Sequence, residues 1–517
     1  MSKERPSAIV TTGGTKEPID DVRFITNFAT GRFGHTIARE LTSLGYNVTV
    51  LAPREVPILA GGIIDGVNYA NFTDTDSLKQ AIYEQEKPQI IFHAAAVSDY
   101  RPKKVEGKMP SDKEKITVKL EKTPKILSGL REQLGRKAFI VGFKLLSGSN
   151  RQQLVDAALI QNRQNHLNLT VANDLQDLHD GMHPVVLVTA EGGAIDLKGT
   201  REEVARNLVT FVKKRSQVIW YKTSGEGEKT WLNTPSAEDK EKFADALCFA
   251  QETNLLYDTS GNISVRSGDQ LIVSPRQLDK SKIVPEQAAI ARVYHAINSV
   301  YYRGEVKSSI DTAVSDSLYR KYPDIKYMLH FHTPWGLAEA TTTFPYPCGV
   351  KEETGEIESV LGDKPRGEFA VELLHHGFLV GLSEGGIERL RSEWEENVTE
   401  FKKHLVDVKQ QDVLDTGKLK PVFAGVEIVG VVLERLEGSA VYLGEKSRGK
   451  GVGKKIVEQL IQRQMPIQTI DDCGVVEFYT KFGFTGEKDQ NGLYTFYPPK
   501  ITESDPIFNR IEEWEVK

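Results

Sequence analysis

Apolar runs of strand length alternate with helical patterns along the first 215 residues. Residues 7–12, SAIVTT, and residues 46–52, YNVTVLA, are apolar runs that predict buried strands. Between them, residues 35–45, HTIARELTSLG, repeat apolar positions at helical spacing and end at a glycine. A helix over residues 77–87 and a strand over residues 88–96 continue the alternation. Strands joined through helices favour a parallel, doubly wound α/β sheet.

An unusually long connection joins the first predicted strand to the first predicted helix. It covers residues 13–34, GGTKEPIDDVRFITNFATGRFG, whereas connections of this kind usually take about two to six residues. Gly13, Gly14, Gly31 and Gly34 permit tight turns and a close approach of the backbone to a phosphate. The connection therefore indicates a nucleotide or phosphate site, and ordinary tight turns remain the alternative interpretation.

Small residues end the strand predicted over residues 88–96. The alanines at 94–96 leave room for a ring or a sugar at the carboxyl end of the strand, where open parallel sheets bind ligands. Asp99 follows, and it suits Mg²⁺ or a ribose hydroxyl, or else it caps a turn. Tyr100 and Lys104 have the Y-x-x-x-K spacing of nicotinamide-dependent short-chain dehydrogenases. Pro102 breaks the helix that this spacing requires, so the dehydrogenase interpretation ranks low.

Length and composition predict several ordinary globular domains. The chain has 517 residues, of which 39% are hydrophobic and 27% charged. At roughly 100 to 200 residues per domain, this length predicts about three folding units. Linker-like stretches over residues 215–238 and 406–420 place the domains at 1–215, 238–405 and 418–500.

The charge and the cysteine content indicate which partners and which cellular compartment to expect. The net charge is -6 and charges of both signs alternate, which argues against nucleic-acid and membrane partners. No apolar run has the length of a signal peptide or a membrane span, so we expect a cytoplasmic protein. Three cysteines without C-x-x-C spacing fit a reducing compartment.

Five ordered motifs in the first domain resemble phosphopantothenoylcysteine synthetase, the phosphopantothenate–cysteine ligase of coenzyme A synthesis. They are the connection over 13–34, AAAVSDYRP, KMPSD with EKTPKIL, VGFKLL and TVANDL, and the resemblance covers about residues 7–212. VGFKLL is most similar to the bacterial form without the fused decarboxylase. The resemblance implies a Rossmann-like domain and a homodimer. It also implies two steps: the pantothenate carboxylate attacks CTP or ATP, held with Mg²⁺, and the cysteine amine then displaces the nucleotide.

The same resemblance assigns roles to single residues. Lys108 matches the catalytic lysine that neutralises charge developing on the triphosphate, which is the charge such a reaction must stabilise. Asn27 would donate to the acyl carbonyl oxygen of the intermediate, and Arg23 would place an anion. The matching nucleotide-binding positions are Gly13, Gly14, Ala95, Ala96, Asp99, Phe143 and Lys144.

Three histidines in the middle domain predict a metal site. His330 and His332 lie two apart in LHFHTP, so on a strand both project from one face, and His376 in ELLHHGFLVG, predicted to lie on another strand, offers a third imidazole. Residues 240–405 resemble the class II aldolase/adducin family. That resemblance implies Zn²⁺ on the three histidines and a phosphate site, whose residues would be Gly261, Asn262, Ser274, Ser308 and Ser309.

One position departs from that family. The catalytic glutamate that follows the paired serines is replaced here by Ile310, with Asp311 next to it. An aliphatic side chain cannot move a proton. Either Asp311 substitutes for the glutamate, or the domain binds its ligands without catalysis. Histidines that merely pack and hydrogen-bond remain the competing interpretation of the metal site.

The last domain contains a glycine-rich turn before a basic amphipathic helix. Residues 444–450 fit G-x-x-x-x-G-K, but Gly451 cannot supply the hydroxyl that a P-loop needs next. Arg448, Gly451 and Gly453 instead fit R-x-x-G-x-G, whose backbone N–H groups would cradle a pyrophosphate. Residues 420–496 resemble part of a GNAT acetyltransferase, an α+β fold. The resemblance implies acetyl-CoA as ligand and Tyr479 as the acid that protonates the leaving thiolate.

These patterns together predict a three-domain ligase of coenzyme A synthesis. The rival interpretation is a nucleotide- and CoA-sensing regulatory or scaffold protein whose sites bind without turnover. Substitution of Lys108 or Asn27 separates the two, because a ligase must lose product formation whereas a sensor loses only affinity. A nicotinamide oxidoreductase would require Tyr100 on a helix.

Overall fold

The computed structural model describes most of the chain. The described residues are 5–109, 115–225, 232–332, 335–362, 367–374, 376–407, 417–434, 439–462, 466–470, 479–488 and 493–498. They divide into two compact units, one ending at Gln217 and the other beginning at Val218. Among the described residues, no helix is both long enough and apolar enough to cross a membrane.

The first unit contains twelve strands and six helices within its described residues. The strands are β1 (Ser7–Thr11), β2 (Lys16–Pro18), β3 (Phe24–Thr26), β4 (Asn47–Ala52), β5 (Asn68–Asn71), β6 (Ile90–His93), β7 (Tyr100–Pro102), β8 (Leu120–Lys122), β9 (Phe139–Leu146), β10 (Leu169–Asp174), β11 (Val185–Thr189) and β12 (Ala194–Leu197). The helices are α1 (Arg32–Ser43), α2 (Val56–Leu59), α3 (Thr75–Tyr83), α4 (Ile126–Leu134), α5 (Arg151–Asn165) and α6 (Arg201–Ser216). Tyr100 therefore lies on a strand, which removes the helix that the oxidoreductase interpretation requires.

Eight strands of this unit form one sheet in the order β12-β11-β10-β9-β6-β1-β4-β5. The six strands from β10 to β5 are parallel, as predicted, and their order is that of the doubly wound dinucleotide-binding folds. The edge strands β11 and β12 are antiparallel, which the alternation of strand and helix did not predict. The chain reverses direction across the sheet between β1 and β6, where such folds bind ligands.

Both faces of this sheet are covered. Ile9 on β1 packs in a core with residues of α3 and α4, including Leu78 and Leu130. The adjacent Val10 faces α1, whose Gly34 lies against it. Successive side chains of a strand point to opposite faces, so the doubly wound prediction is confirmed at β1.

The second unit is built on a nine-stranded, largely antiparallel sheet. The strands of this unit up to residue 382, of which all but β19 belong to that sheet, are β13 (Lys222–Gly225), β14 (Asn262–Ser267), β15 (Gln270–Val273), β16 (Ala289–Tyr294), β17 (Ser299–Arg303), β18 (Tyr327–Phe331), β19 (Trp335–Leu337), β20 (Ala340–Thr341), β21 (Phe369–Leu373) and β22 (Gly377–Leu382). The helices over the same stretch, with the long one that follows it, are α7 (Ala237–Glu252), α8 (Thr312–Lys321), α9 (Lys351–Leu361) and α10 (Gly386–Asp407). The sheet order is β13-β17-β16-β15-β14-β18-β22-β21-β20.

The remaining elements form two smaller sheets. They are β23 (Lys418–Ala424), β24 (Glu427–Glu434), β25 (Ala440–Leu443), α11 (Val452–Gln462), β26 (Ile467–Ile470), β27 (Thr485–Lys488) and β28 (Leu493–Tyr497). One sheet has the order β19-β23-β24-β25 and the other β26-β28-β27. β19 precedes the predicted linker at 406–420, whereas β23 begins in its last three residues and continues beyond it, so strands of the predicted middle and last domains share a sheet. The three-part division of the chain stays a prediction.

Two local expectations differ from the structure. The linker predicted over 215–238 contains β13, which pairs in parallel with β17 at the edge of the large sheet. His376 lies in the turn between β21 and β22 and not on a strand. The apolar run around it is a hairpin, and Gly377, at a φ of 156°, lies where a Cβ would come within 2.4 Å of the Phe331 carbonyl oxygen.

Candidate functional site

The connection after β1 is hydrogen-bonded to the alanine-rich end of β6. Ala94 N donates to Thr11 O at 3.0 Å, Ala96 N donates to Gly13 O at 2.8 Å, and Thr15 N donates to Ala96 O at 3.2 Å. These bonds continue the parallel pairing of β1 and β6 beyond the ends of both strands. The two segments that the sequence singled out therefore meet at the point where the chain changes direction across the sheet.

Asn27 lies at the same edge because the connection folds back as the hairpin β2–β3. The Thr26 hydroxyl donates to Thr15 O at 2.8 Å, and Asn27 Nδ2 lies 3.4 Å from Ala96 O. Gly14 allows this return, since a Cβ at that position would lie 3.0 Å from Thr26 Oγ1 and 3.1 Å from Asn27 O. The Asn27 amide is exposed, so it can reach a ligand held above the alanines.

The hairpin also anchors the segment that carries Lys108. The Asp20 carboxylate accepts from Met109 N at 3.1 Å, and the Asp21 carboxylate accepts from Gly107 N at 3.0 Å. The two neighbours of Lys108 are therefore both tied to the hairpin. The Lys108 side chain itself is exposed. Residues 110–114, which contain part of the KMPSD motif, lie outside the described residues.

Arg23 takes part in the same anchor. Its guanidinium donates to Asp20 Oδ2 from Nε at 2.9 Å and to Met109 O from Nη2 at 3.0 Å. The bond from Arg23 holds the pKa of the Asp20 carboxyl well below its usual range. The structure thus gives Arg23 a carboxylate partner within the protein, and its predicted contact with a ligand anion stays a prediction.

The other predicted nucleotide positions spread along this edge of the sheet. Asp99 forms an exposed ion pair with Lys125 at 2.7 Å, so Asp99 has a cation beside it. Phe143 on β9 lies edge-on to Phe33 at 6.0 Å between ring centroids, and Phe33 lies 4.1 Å from the His183 ring. This aromatic group lies near the glycine-rich start of α1. The sequence analysis missed Phe33 and His183 because they are distant from Phe143 along the chain.

The three predicted histidine ligands come together in the second unit. The candidate ligand atoms of His330, His332 and His376 lie within 4.8 Å of one another. His330 donates from Nδ1 to Phe378 O at 2.9 Å, which leaves its Nε2 lone pair facing His332 Nε2, also at 2.9 Å. Burial lowers the pKa of both His330 and His332 to about 3. Neutral imidazoles with inward lone pairs are the form that binds a metal ion.

Asp311 completes the polar wall of this histidine cluster. Its Oδ2 accepts from Asn262 Nδ2 at 2.7 Å, whereas its buried Oδ1 has no hydrogen-bond partner among the described residues. Burial raises the pKa of the Asp311 carboxyl, and the nearby His376 and His332 oppose that shift. The carboxylate that the sequence placed next to Ile310 therefore reaches the site without any shift of register.

The predicted phosphate positions lie on the segments that carry Asn262 and Asp311 or pair with them. Gly261 adopts a φ of 77°, and a Cβ there would lie 2.5 Å from His330 O, so only glycine fits. The Ser274 hydroxyl accepts from Ile263 N at 3.1 Å, whereas the buried Ser308 hydroxyl has no partner among the described residues. Ser309 Oγ accepts from Asp311 N at 3.3 Å and so helps hold the carboxylate.

Two cations near this site were not predicted. Arg276 Nε is buried without a hydrogen-bond partner within the described part of the chain. Burial lowers the pKa of Lys280 to about 8, and Lys280 donates to Pro275 O. Both act electrostatically on Asp311. An RxxxK spacing is too common for the sequence alone to have singled them out.

The third predicted site is less complete. A short 3₁₀ helix, Glu445–Ser447, leads into a turn in which Gly449 and Gly451 have positive φ, and α11 then begins at Val452. Arg448 is exposed and lies 3.8 Å from Glu445, and Gly453 is inside the first turn of the helix. Tyr479 is buried against the rings of Phe484 and Phe496, so the structure places it among core aromatics.

Two family models match the chain. Residues 4–215 match the DNA/pantothenate metabolism flavoprotein C-terminal domain. Residues 241–372 match the Class II Aldolase and Adducin N-terminal domain. The chain therefore carries one domain of each kind.

The curated relatives resemble the first of these domains. The coenzyme A biosynthesis bifunctional protein CoaBC of Methanocaldococcus jannaschii is 30% identical over 41% of this chain and 52% of its own. CoaBC of Thermococcus kodakarensis is 32% identical over the same shares. A solved structure, the DNA/pantothenate metabolism flavoprotein of Streptococcus pneumoniae, is 30% identical over 40% of this chain and 99% of its own, with a TM-score of 0.37. The chain spans about half the length of these curated relatives.

Proposed function

We propose that the first unit joins 4'-phosphopantothenate and cysteine through an acyl-nucleotidylate, using CTP or ATP with Mg²⁺. One observation supports this most strongly: the hairpin after β1 bonds both to the alanines after β6 and to the segment around Lys108. Asn27, the alanines and the backbone around Lys108 are thereby linked at the carboxyl edge of the sheet, where we propose that the substrates bind. The match of residues 4–215 and the names of the relatives agree with this chemistry.

The chemistry assigns each group a task. A carboxylate becomes a good acylating group only after one oxygen attacks the α-phosphorus and pyrophosphate leaves. The Lys108 ammonium would neutralise charge on the phosphates during that step, and the Asn27 amide would donate to the acyl carbonyl oxygen. The cysteine amine then attacks the acyl carbon, and the nucleoside monophosphate leaves with one former carboxylate oxygen.

We propose that the nucleotide binds at the same edge of the sheet. The glycines at 13 and 14 allow close approach of the backbone to phosphate, and the small side chains of Ala95 and Ala96 leave room for the nucleoside. Phe143 and Lys144 on β9 would contact the base and a phosphate, and Asp99, although paired with Lys125, would bind Mg²⁺ or the ribose. We further propose that the protein acts as a homodimer.

Product formation by single variants tests the ligase proposal. We expect Lys108→Gln and Asn27→Ala to lose at least 100-fold in the rate of phosphopantothenoylcysteine formation, as expected when a group that stabilises transition-state charge is removed. Lys103→Gln is the matched control, because Lys103 is also exposed and lies on the same segment. Pyrophosphate release with each nucleoside triphosphate in turn identifies the nucleotide.

The same experiment tests the rival sensor function. A sensor would bind nucleotide and release no pyrophosphate above background in the presence of both substrates. Wild-type protein that binds CTP or ATP but forms no product would overturn the ligase proposal and support the sensor.

For the second unit, we propose a divalent metal site on His330, His332 and His376, with Zn²⁺ as the expected ion. The inward lone pair of His330 Nε2 and the close approach of the three rings support this proposal. With its fourth position open, a zinc ion there would polarise a substrate oxygen, while Asp311 would hold or move a proton and the groups around Ser308 would bind a phosphate. Zinc analysis of wild-type protein and of His330→Ala tests the metal site, and loss of bound zinc in the variant is the expected result.

Acetyl-CoA binding by the last segment is a further proposal. The turn with Gly451 and Gly453 at the start of α11 offers free backbone N–H groups to a pyrophosphate, beside Arg448. The burial of Tyr479 argues for binding without acetyl transfer. Titration with acetyl-CoA checks this, and Arg448→Ala should weaken binding.

A further inference from the structure

A free thiol lies beside the histidine cluster of the second unit. Cys348 Sγ is 2.9 Å from His376 Nε2. From the sequence, the three cysteines indicated only a reducing compartment, and the predicted metal site had three histidines and no thiol. The thiol changes that prediction, because sulfur is a preferred ligand of zinc.

The orientation of His376 places Cys348 on the metal-binding side of the ring. His376 Nδ1 faces the Glu353 carboxylate at 3.6 Å, whereas Nε2 faces the thiol. A metal-binding histidine commonly gives one ring nitrogen to the metal and the other to a carboxylate or carbonyl. His330 is arranged in the same way, with Nδ1 on Phe378 O and Nε2 facing inward. Nε2 of His376 is therefore the atom available to a metal, and Cys348 Sγ lies next to it.

Two pairs of candidate ligands, His376 with Cys348 and His330 with His332, require only a small adjustment. A tetrahedral ion at about 2.1 Å from nitrogen and about 2.3 Å from sulfur would separate Nε2 from Sγ by about 3.6 Å. The separation here is 2.9 Å. The two Nε2 atoms of His330 and His332 are also 2.9 Å apart, against about 3.4 Å around the same ion. An ion entering the cluster would thus spread both pairs by a similar amount.

The turn that holds Cys348 is packed against the position where the family glutamate is missing. Gly349 has a φ of 75°, and a Cβ there would lie 2.4 Å from the Ile310 carbonyl oxygen. Gly349 N also donates to Glu353 Oε2 at 2.7 Å. These contacts fix the turn beside the cluster. The turn that carries the thiol therefore packs against the backbone of Ile310.

We propose that Cys348 is a fourth protein ligand, so that the centre is His₃Cys and closed. The proposal rests on the three-histidine metal site proposed above. On binding, the thiol loses its proton to solvent, the sulfur forms a bond to the divalent ion, and no redox change occurs. Four protein ligands are typical of structural zinc sites, whereas catalytic sites keep one position for water or substrate. This centre would bind metal without aldol cleavage.

Cobalt(II) spectroscopy tests the proposal without relying on enzyme activity. The full chain is freed of metal with a chelator and titrated with one equivalent of Co²⁺. We expect a near-ultraviolet thiolate-to-cobalt charge-transfer band in wild-type protein and in the Cys248→Ser and Cys473→Ser controls. Cys348→Ser should lose the band and bind Co²⁺ at least tenfold more weakly, with unchanged circular dichroism.

The other outcomes would overturn the proposal in distinguishable ways. Co²⁺ bound by wild-type protein without a charge-transfer band would leave the three-histidine site intact and exclude the thiol. A band that survives in Cys348→Ser would place the sulfur elsewhere. Wild-type protein that binds no Co²⁺ would contradict the metal site as well.

Discussion

Replacement of His93 by glutamine should remove a pH dependence of stability from the first unit. His93 ends β6 and is buried, and burial lowers its pKa to about 4 from an ordinary value of 6.5. The Thr11 hydroxyl accepts from Ala95 N and lies 2.9 Å from His93 Nδ1. The hydroxyl can therefore donate to Nδ1 of the neutral ring while it accepts from Ala95 N. Folding favours the neutral imidazole, and protonation opposes folding.

The sign and size follow from proton linkage. Between pH 6.5 and pH 4 the unfolded chain binds a proton at this position that the folded chain excludes, so stability falls as the pH is lowered through that window. Lowering the pH through this whole window would reduce the free energy of unfolding by about 3 kcal/mol, and lowering it from pH 7 to pH 5 would reduce it by about 2 kcal/mol. Glutamine cannot titrate, so the variant should lose this part of the pH dependence.

Hydrogen exchange measured by mass spectrometry suits this test, because none of the five tryptophans lies within residues 5–217. The free energy of opening is read from β1 and β6 peptides at pH 7 and pH 5, with correction for intrinsic exchange. Between pH 7 and pH 5, the free energy of opening should fall by about 2 kcal/mol more in wild-type protein than in His93→Gln. His179→Gln is the control, since His179 is exposed. Equal pH dependence in wild type and His93→Gln would refute the reasoning.

Two further predictions concern packing and the anchor around Lys108. Gly34→Ala should destabilise the first unit by about 1 to 3 kcal/mol in urea unfolding, because a Cβ would lie 2.4 Å from Thr12 Oγ1. Gly355→Ala on α9 meets no atom within 4 Å, so it should not destabilise, and equal losses would argue against the packing at Gly34. Asp20→Asn should lower the ligase kcat at least tenfold by loosening the bonds to Arg23 and Met109, whereas the exposed Asp65→Asn should not. Unchanged kcat in Asp20→Asn would show that the anchor does not matter.

Local patterns were enough to predict the parallel part of the first sheet. β1, β4 and β6 are short buried runs separated by a helix or glycine turn, and each gives a signal within about ten residues. The antiparallel strand β11 is buried at every position and gives no such signal of direction. Its pairing depends on long-range contacts that the pattern along the chain does not contain.

The residues of the candidate sites were likewise only partly predictable from the sequence. His330 and His332 could be predicted because residues two apart along a strand share a face, although β18 ends at Phe331 and His332 is the residue after it. Their relation to Cys348 and Asp311 could not, because it depends on how the turn at Gly349 packs against Ile310. Likewise, Asp20 lies three residues from Arg23, but its bond to Met109 spans 89 positions along the chain. Side chains that converge through tertiary packing leave little trace in sequence spacing.

The origin of one oxygen atom tests the proposed ligase chemistry most directly. Phosphopantothenate labelled with ¹⁸O in its carboxylate is incubated with cysteine, the protein and the nucleoside triphosphate that it uses. An acyl-nucleotidylate transfers one labelled oxygen to the nucleoside monophosphate, and mass spectrometry should find it there. Label in inorganic phosphate, or unlabelled nucleoside monophosphate alongside product, would contradict the account.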